Sequence, residues 1–216
     1  KSKDWLTHNF STNKVNVIPN PAVYPVPLSN ERSIQPNAII PQNKKVILAS
    51  GRLHKYKQFD LLIKAFLKLK EKHLDWDLVI LGSGEERDNL NYMTMNFGIT
   101  DRVHFPGSVG NISEWYERAD LFVLSSIVEG FPNVLLEALT HGLPCISFDC
   151  DTGPRDIIQD GYNGILVDPN EKELGLSNAI DKIIVNQELR HNLAKNSILL
   201  RKKYSISNIM QKWNNI

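Results

Sequence analysis

Between Lys44 and Val167 six short apolar runs alternate with segments of helical pattern, and that alternation excludes most folds. The runs are Lys44–Ser50, Trp76–Leu81, Asp101–Phe105, Asp120–Ser126, Pro144–Phe148 and Gly164–Val167. They are short and mostly apolar, as strands covered on both faces are. Among the intervening segments Lys55–His73 has the strongest helical pattern, with Phe59, Leu62, Ile63, Phe66 and Leu67 near the 3.6-residue period. Helices are also expected over Glu86–Phe97, Ile112–Arg118, Val134–His141 and Gly153–Gly161. Pro169–Val185, Glu188–Lys203 and Ser205–Ile216 read as terminal helices. Strand and helix in strict turn predict an α/β chain with a six-stranded parallel sheet, one doubly wound Rossmann-like unit.

The stretch Ser125–Pro144, SSIVEGFPNVLLEALTHGLP, carries the clearest chemistry. A strand ends, Glu129-Gly130-Phe131-Pro132-Asn133 turns, and a helix starts with Asn133 as its expected cap. The free amides of a first helical turn attract anions. Glu129 lies at the carboxyl end of the strand, where open α/β sheets bind ligands. Glu137 lies one turn into the helix, and helical side chains lean toward the amino end. Carboxylates accept hydrogen bonds from sugar hydroxyls and repel phosphate, so a ligand bearing both groups suits this arrangement. The alternative is that Glu137 answers the helix dipole and Glu129 caps a turn.

Other groups are weaker signals. Arg52 and Lys57 follow the first strand and together could neutralise a diphosphate; a solvated lysine-rich surface is the competing reading. Gly82-Ser83-Gly84 lacks the third glycine of G-x-G-x-x-G, since Arg87 stands there, so it reads either as a tight turn or as a ligand contact. Gly107-Ser108-Val109-Gly110 offers backbone groups to the edge of a planar base. His104 and His141 have no Asp or Ser partner visible in sequence and read as structural. Trp115 and Tyr116 read as core or interface, and Cys145 as a buried strand residue.

Net charge is +1, which argues against a nucleic-acid partner held by bulk charge. No apolar run is long enough for a transmembrane helix, no signal peptide is visible, and a cytoplasmic location is expected. Cys145 and Cys150 face opposite sides of a strand and are not expected to pair. The six histidines show no metal-ligand spacing. The chain opens on Lys1, and residues 1–21 read as the tail of a preceding domain, with a helix over 2–9 and a strand over Val15–Ile18. Residues 22–43, rich in Pro, Asn and Ser, read as linker; residues 44–204 form the main domain and 205–216 a terminal helix.

Several of these segments together resemble the group 1 glycosyltransferases. Gly51-Arg52-Leu53 with Lys57 resembles one signature of that family, and VEGFPNVLLEAL the other. VHFPGSV, ADLFVLSS, GLPCISFD and DGYNGILVDP fall in the family's order, and NVIPNP resembles its interdomain segment, with Pro21 where Gly is frequent. Gln58 stands where Gly is usual. GPRDII departs from the commoner Gly-Gly-x-Pro-Glu and looks closer to members using UDP-hexoses in surface polysaccharide assembly.

The resemblance implies the C-terminal, donor-binding half of a GT-B fold and a retaining hexosyltransferase. By residue match, Arg52 and Lys57 clamp the diphosphate and stabilise the leaving group, Glu129 accepts hydroxyls of the transferred sugar, and Glu137 accepts those of the ribose. Gly51, Gly82, Gly84 and Val109 border the donor. The amides of Gly130, Phe131, Pro132's neighbour Asn133, Val134 and Leu135 approach sugar and phosphates. No metal or other cofactor is implied. The implied partners are a nucleotide sugar and, through an absent N-terminal domain that the last helix would pack against, a glycan or lipid-linked acceptor; peripheral membrane association of the longer enzyme fits that picture. A nucleotide-sugar epimerase, a phosphorylase and a non-catalytic sugar-nucleotide sensor are the competing readings.

Overall fold

A computed structural model describes residues 16–215. Six strands form one sheet: β1 (Lys45–Ser50), β2 (Trp76–Leu81), β3 (Val103–Gly107), β4 (Leu121–Leu124), β5 (Cys145–Phe148) and β6 (Ile165–Val167). All neighbours are parallel, in the order β3-β2-β1-β4-β5-β6. The expected doubly wound sheet is therefore present. Its order reverses between β1 and β4, and such a switch point leaves a crevice at the carboxyl ends of the two strands.

The helices are α1 (Phe59–Leu69), α2 (Arg87–Asn96), α3 (Ile112–Arg118), α4 (Asn133–Thr140), α5 (Pro154–Ile157), α6 (Lys172–Val185), α7 (Gln187–Ser197), α8 (Leu200–Lys203) and α9 (Ile206–Asn214). One sheet face packs on α1, α2 and α6 through Leu62, Ile63, Phe66, Leu90 and Ile180. The other packs on α3, α4, α8 and α9 through Trp115, Tyr116, Leu135, Leu139 and Ile209. Each such side chain contributes about 1.5–3 kcal/mol on burial, so both layers hold the sheet. Cys145 and Cys150 are buried free thiols; they are unpaired as expected, although Cys150 lies beyond the end of β5 rather than on the strand.

Four segments depart from expectation, one being the helix expected over Gly153–Gly161, which is a single turn at Pro154–Ile157. The long helix expected from Lys55 is broken at Gln58, whose φ of 46° and ψ of 41° are left-handed; a 3-10 turn over Lys55–Lys57 precedes it and α1 follows. Glutamine there bears a backbone cost that glycine would escape. Gln58→Gly should raise stability by up to about 1 kcal/mol, read as a higher denaturant midpoint; a lower midpoint contradicts this conformation. The expected helix over Glu188–Lys203 is interrupted at Ile198 and Leu199. The strand expected over Val15–Ile18 is not formed at residues 16–18; Val15 and the helix expected over residues 2–9 lie outside the described residues, as does Ile216.

Residues 22–43 are irregular apart from a 3-10 turn at Pro36–Ala38, but they are anchored to the domain. Buried Asn111 bonds both backbone groups of Ile34, accepting from its amide at 2.9 Å and donating to its carbonyl at 3.1 Å. Gly110 likewise joins the Ser29 amide and the Arg32 carbonyl. Ile40 is fully buried in the core.

Candidate functional site

Two loops meet across the β1–β4 crevice. Ser125, just past β4, donates its hydroxyl to the Lys57 carbonyl at 2.7 Å, and the Ile127 amide donates to the Tyr56 carbonyl at 3.1 Å. This stitching brings the Lys57 Nζ to 2.6 Å from Glu129 Oε1. Both side chains are largely enclosed, 23% and 11% exposed. The pair joins residues 72 positions apart in the chain. Arg52 is not drawn into it. Its guanidinium is 75% exposed at the rim and lies 3.7 Å from Glu85, so it is unspent on any buried partner.

The turn after Glu129 leads into α4 one residue earlier than expected. Pro132 occupies the cap position, and its carbonyl accepts from both the Leu135 amide at 3.1 Å and the Leu136 amide at 3.2 Å. Asn133 is therefore the first helical residue and not the cap. Its Oδ1 accepts instead from Asn20 at 3.0 Å. The Leu135 amide is committed to Pro132, which leaves the amides of Asn133 and Val134 as those with no carbonyl one turn back in the helix.

Glu137 projects from α4 beside α3, where the Tyr116 hydroxyl donates to its Oε2 at 3.0 Å. Burial raises the Glu137 pKa above its usual 4.5, against the opposing effect of the Tyr116 bond. Burial, and then the neighbouring Glu137, push Tyr116 well above the usual tyrosine value, so it is a neutral donor. Tyr116 is a core residue, as expected, but it also fixes one oxygen of Glu137, a role that sequence does not display. Glu137, Asn133 and Leu136 line a cavity of about 340 Å³ whose far wall is Asn20–Pro27.

A second cavity, about 570 Å³, opens at the carboxyl ends of β1, β2 and β3 and brings together Gly51, Arg52, Gly82, Gly84 and Val109. The glycines have a packing reason to be there. A Cβ on Gly82, at φ +125°, would lie 2.0 Å from the Gly51 carbonyl oxygen, and one on Gly84 2.3 Å from that of Leu53. They let the β2 loop press on the β1 loop while bordering the cavity. Gly130 and Phe131 line a third cavity, also about 570 Å³, with Thr152, Arg155 and Tyr204. Pro132 is buried beside Gly153, whose Cβ would approach its Cδ to 2.7 Å.

The histidines have partners that sequence does not reveal. His104 bonds Asp77 at 3.2 Å, and His141 bonds the Ser113 hydroxyl at 2.9 Å and the Glu137 carbonyl at 2.8 Å. These three contacts are structural in setting. Burial raises the Cys145 thiol pKa well above its usual value, consistent with an inert strand residue. Among the described residues no group of three or more His, Cys, Asp or Glu is arranged to hold a metal ion, and no helix is long and apolar enough to cross a membrane.

Comparison with known proteins places these features. Residues 30–199 match the family model described as glycosyl transferases group 1. An uncharacterised glycosyltransferase of Haemophilus influenzae is 36% identical over 187 residues, covering 84% of this chain and 53% of that protein. The amylovoran biosynthesis glycosyltransferase AmsD of Erwinia amylovora is 31% identical over 215 residues, covering 99% of this chain and 59% of its own length. The chain thus spans about half the length of the curated relatives it matches. Among solved structures, the C-terminal domain of the group 1 family protein LpcC from Francisella tularensis superposes with TM-score 0.72 at 29% identity, covering 83% of this chain and 95% of that one. The pneumococcal O-GlcNAc transferase GtfA, solved with UDP and GlcNAc, superposes with TM-score 0.82 at 24% identity, over 99% of this chain and 42% of its own.

Proposed function

This chain belongs to the group 1 glycosyltransferases, and from that premise we propose that it is the donor-binding part of a hexosyltransferase that uses a UDP-linked sugar. The single observation behind the site assignment is the Lys57–Glu129 pair at the β1–β4 switch point, beside the amino end of α4. A cation and an anion side by side in an enclosed crevice suit a ligand that carries phosphate at one end and hydroxyls at the other. The donor exchanges the pair: its diphosphate takes Lys57, and its sugar hydroxyls take Glu129.

In this reading Arg52 leaves its exposed contact with Glu85 at the rim and closes on the diphosphate, and the Asn133 and Val134 amides meet the phosphate oxygens. These cationic and dipolar groups stabilise the charge that develops on the leaving UDP. Glu137 accepts the ribose hydroxyls through the oxygen that Tyr116 leaves open. The base lies in the cavity bordered by Val109 and Gly51. We assign residues 44–204 as the donor domain, to which α9 is anchored by buried Ile209, and propose that the exposed side of α9 packs on an acceptor domain beyond this chain. Retention of configuration, and a glycan or lipid-linked acceptor in surface polysaccharide assembly, complete the proposal. The amylovoran relative supports the last of these, and UDP in the GtfA structure supports the choice of base.

Calorimetric titration with UDP, GDP and ADP tests the reading. UDP should bind most tightly, by about tenfold or more over the other two. Equal weak binding of all three, or none, contradicts it. The Glu137 assignment makes a separate pH prediction. At neutral pH Glu137→Gln should weaken UDP binding about tenfold, the loss of one charge-assisted contact. Because burial raises the Glu137 pKa, the gap between the two proteins should begin to close at a pH above the usual carboxylate range, as the wild-type side chain takes up its proton. A gap that is constant through mildly acid pH rules out ionised Glu137 as the ribose acceptor.

A further inference from the structure

We propose that Thr152 is a positioning residue for Glu129: its hydroxyl holds the Glu129 main chain while the donor occupies the site. This rests on the donor-site reading above and extends it to a residue in the loop after β5. Thr152 donates its Oγ1 hydrogen to the Glu129 carbonyl. The neighbouring residue, Gly153, has φ +96°, and a Cβ there would stand 3.0 Å from the Gly130 carbonyl oxygen and 3.5 Å from Glu129 Cβ. The β5 loop is therefore pressed directly on the turn that carries Glu129. The Cys150 thiol bonds the Thr152 carbonyl at 3.5 Å and ties that loop to the end of β5.

Besides Thr152, the Glu129 main chain has the Cys150 thiol beside it, and the turn before it is held by the Ile127 amide on the Tyr56 carbonyl. The two predecessors of Glu129, Ile127 and Val128, are 37% and 63% exposed and provide no apolar anchor. Its carboxylate is fixed by Lys57. Donor binding takes that cation away, since Lys57 must turn to the diphosphate. At that moment the main-chain tethers set where the carboxylate sits, and the bond from Thr152 is the one made directly to the Glu129 carbonyl. Ser125 does the same for Lys57, by holding its carbonyl from the other side of the crevice. Thr152 thus acts on the sugar end of the donor and not on the nucleotide end.

The test is calorimetry on this chain with UDP, UDP-glucose, UDP-galactose and UDP-N-acetylglucosamine. The readout is the affinity of the best-bound sugar nucleotide relative to UDP. Thr152→Val, which keeps shape and removes the donor, should lower that ratio about tenfold, the scale of a hydrogen bond to a charged group. UDP affinity itself should stay within about twofold, and the melting temperature should fall by only about 2–4 °C, the effect of one neutral bond. Thr152→Ser, which restores the hydroxyl, should restore the ratio. A Thr152→Val protein with an unchanged ratio, one that loses UDP and sugar nucleotide alike, or a Ser variant that fails to rescue overturns the proposal. If the unsubstituted chain binds no UDP, the donor-site reading falls and takes this proposal with it. A chain that binds UDP and sugar nucleotide normally but ignores Thr152→Val leaves the donor-site reading standing and removes Thr152 alone.

Discussion

Lys57→Ala should weaken UDP binding by about 10–100-fold, the value of one charge-assisted bond to phosphate. The expectation follows from where Lys57 sits. Its stem lies over Gly51, with Cε 3.4 Å from the position a Cβ on that glycine would occupy. Its main chain is held from β4 by Ser125, so the ammonium has little freedom to be replaced by another group. Arg52 cannot compensate, because in the donor complex it already makes its own contact with the diphosphate from the rim. Lys57→Arg should not restore affinity: a planar fork does not occupy the space of a compact ammonium. The substitution also strands Glu129 at 11% exposure without its cation, so a modest loss of stability should accompany the loss of affinity. Glu129→Ala in the same background should recover that stability but not the UDP affinity. Recovery of both would mean that the pair is only structural.

Asp77→Asn should lower stability by about 3 kcal/mol, at the lower end of what removal of one partner from a buried pair costs. In a chain of this size that is a fall of about 6–12 °C in melting temperature. Asp77 is the one charged residue within the otherwise apolar β2, and its side chain is 3% exposed. It accepts from Arg102 Nε at 2.8 Å and contacts His104 at 3.2 Å, with Lys44 3.5 Å away. Arg102 keeps further bonds to the carbonyls of His73 and Trp76, which limits the damage. Burial alone would raise the Asp77 pKa; the bonds from His104 and Arg102 and the charge of Lys44 overcome it and hold the carboxyl below its usual 3.8. Its stabilising contribution is therefore complete above pH 3.8 and is lost as the pH falls through the lower folded-state value. Asp77 lies near the amino end of β2, away from the carboxyl-end crevice, so UDP affinity of the folded variant should be unchanged. A change in affinity with no change in melting temperature would contradict this division between support and site.

The sheet was legible because its signal is local. WDLVIL, DLFVLSS and PCISF are each short, apolar and bounded by turn residues, and each lies within one or two positions of its strand. The carboxyl-end location of Glu129 and the helical placement of Glu137 follow from the same pattern. What was not legible depends on pairs far apart in the chain. The Lys57–Glu129 contact exists only because β1 and β4 are neighbours, a consequence of strand order and not of spacing. Tyr116 reaches Glu137 only once α3 and α4 share a sheet face. Asn133 looks like a cap in any local reading, and loses that role because Asn20 and Pro132 compete for it. The break at Gln58 had a trace in sequence, since glycine is usual there, but the residue itself has no turn preference to announce it.

On the proposed function, a sugar nucleotide displaces the Lys57–Glu129 bond and seats its diphosphate at the start of α4. A crystal structure of this chain with UDP tests it most directly. The account predicts phosphate oxygens within hydrogen-bond distance of the Asn133 and Val134 amides and of Lys57 Nζ, with Lys57 parted from Glu129. Diphosphate density elsewhere, or at α4 with the 2.6 Å Lys57–Glu129 contact intact, would contradict it.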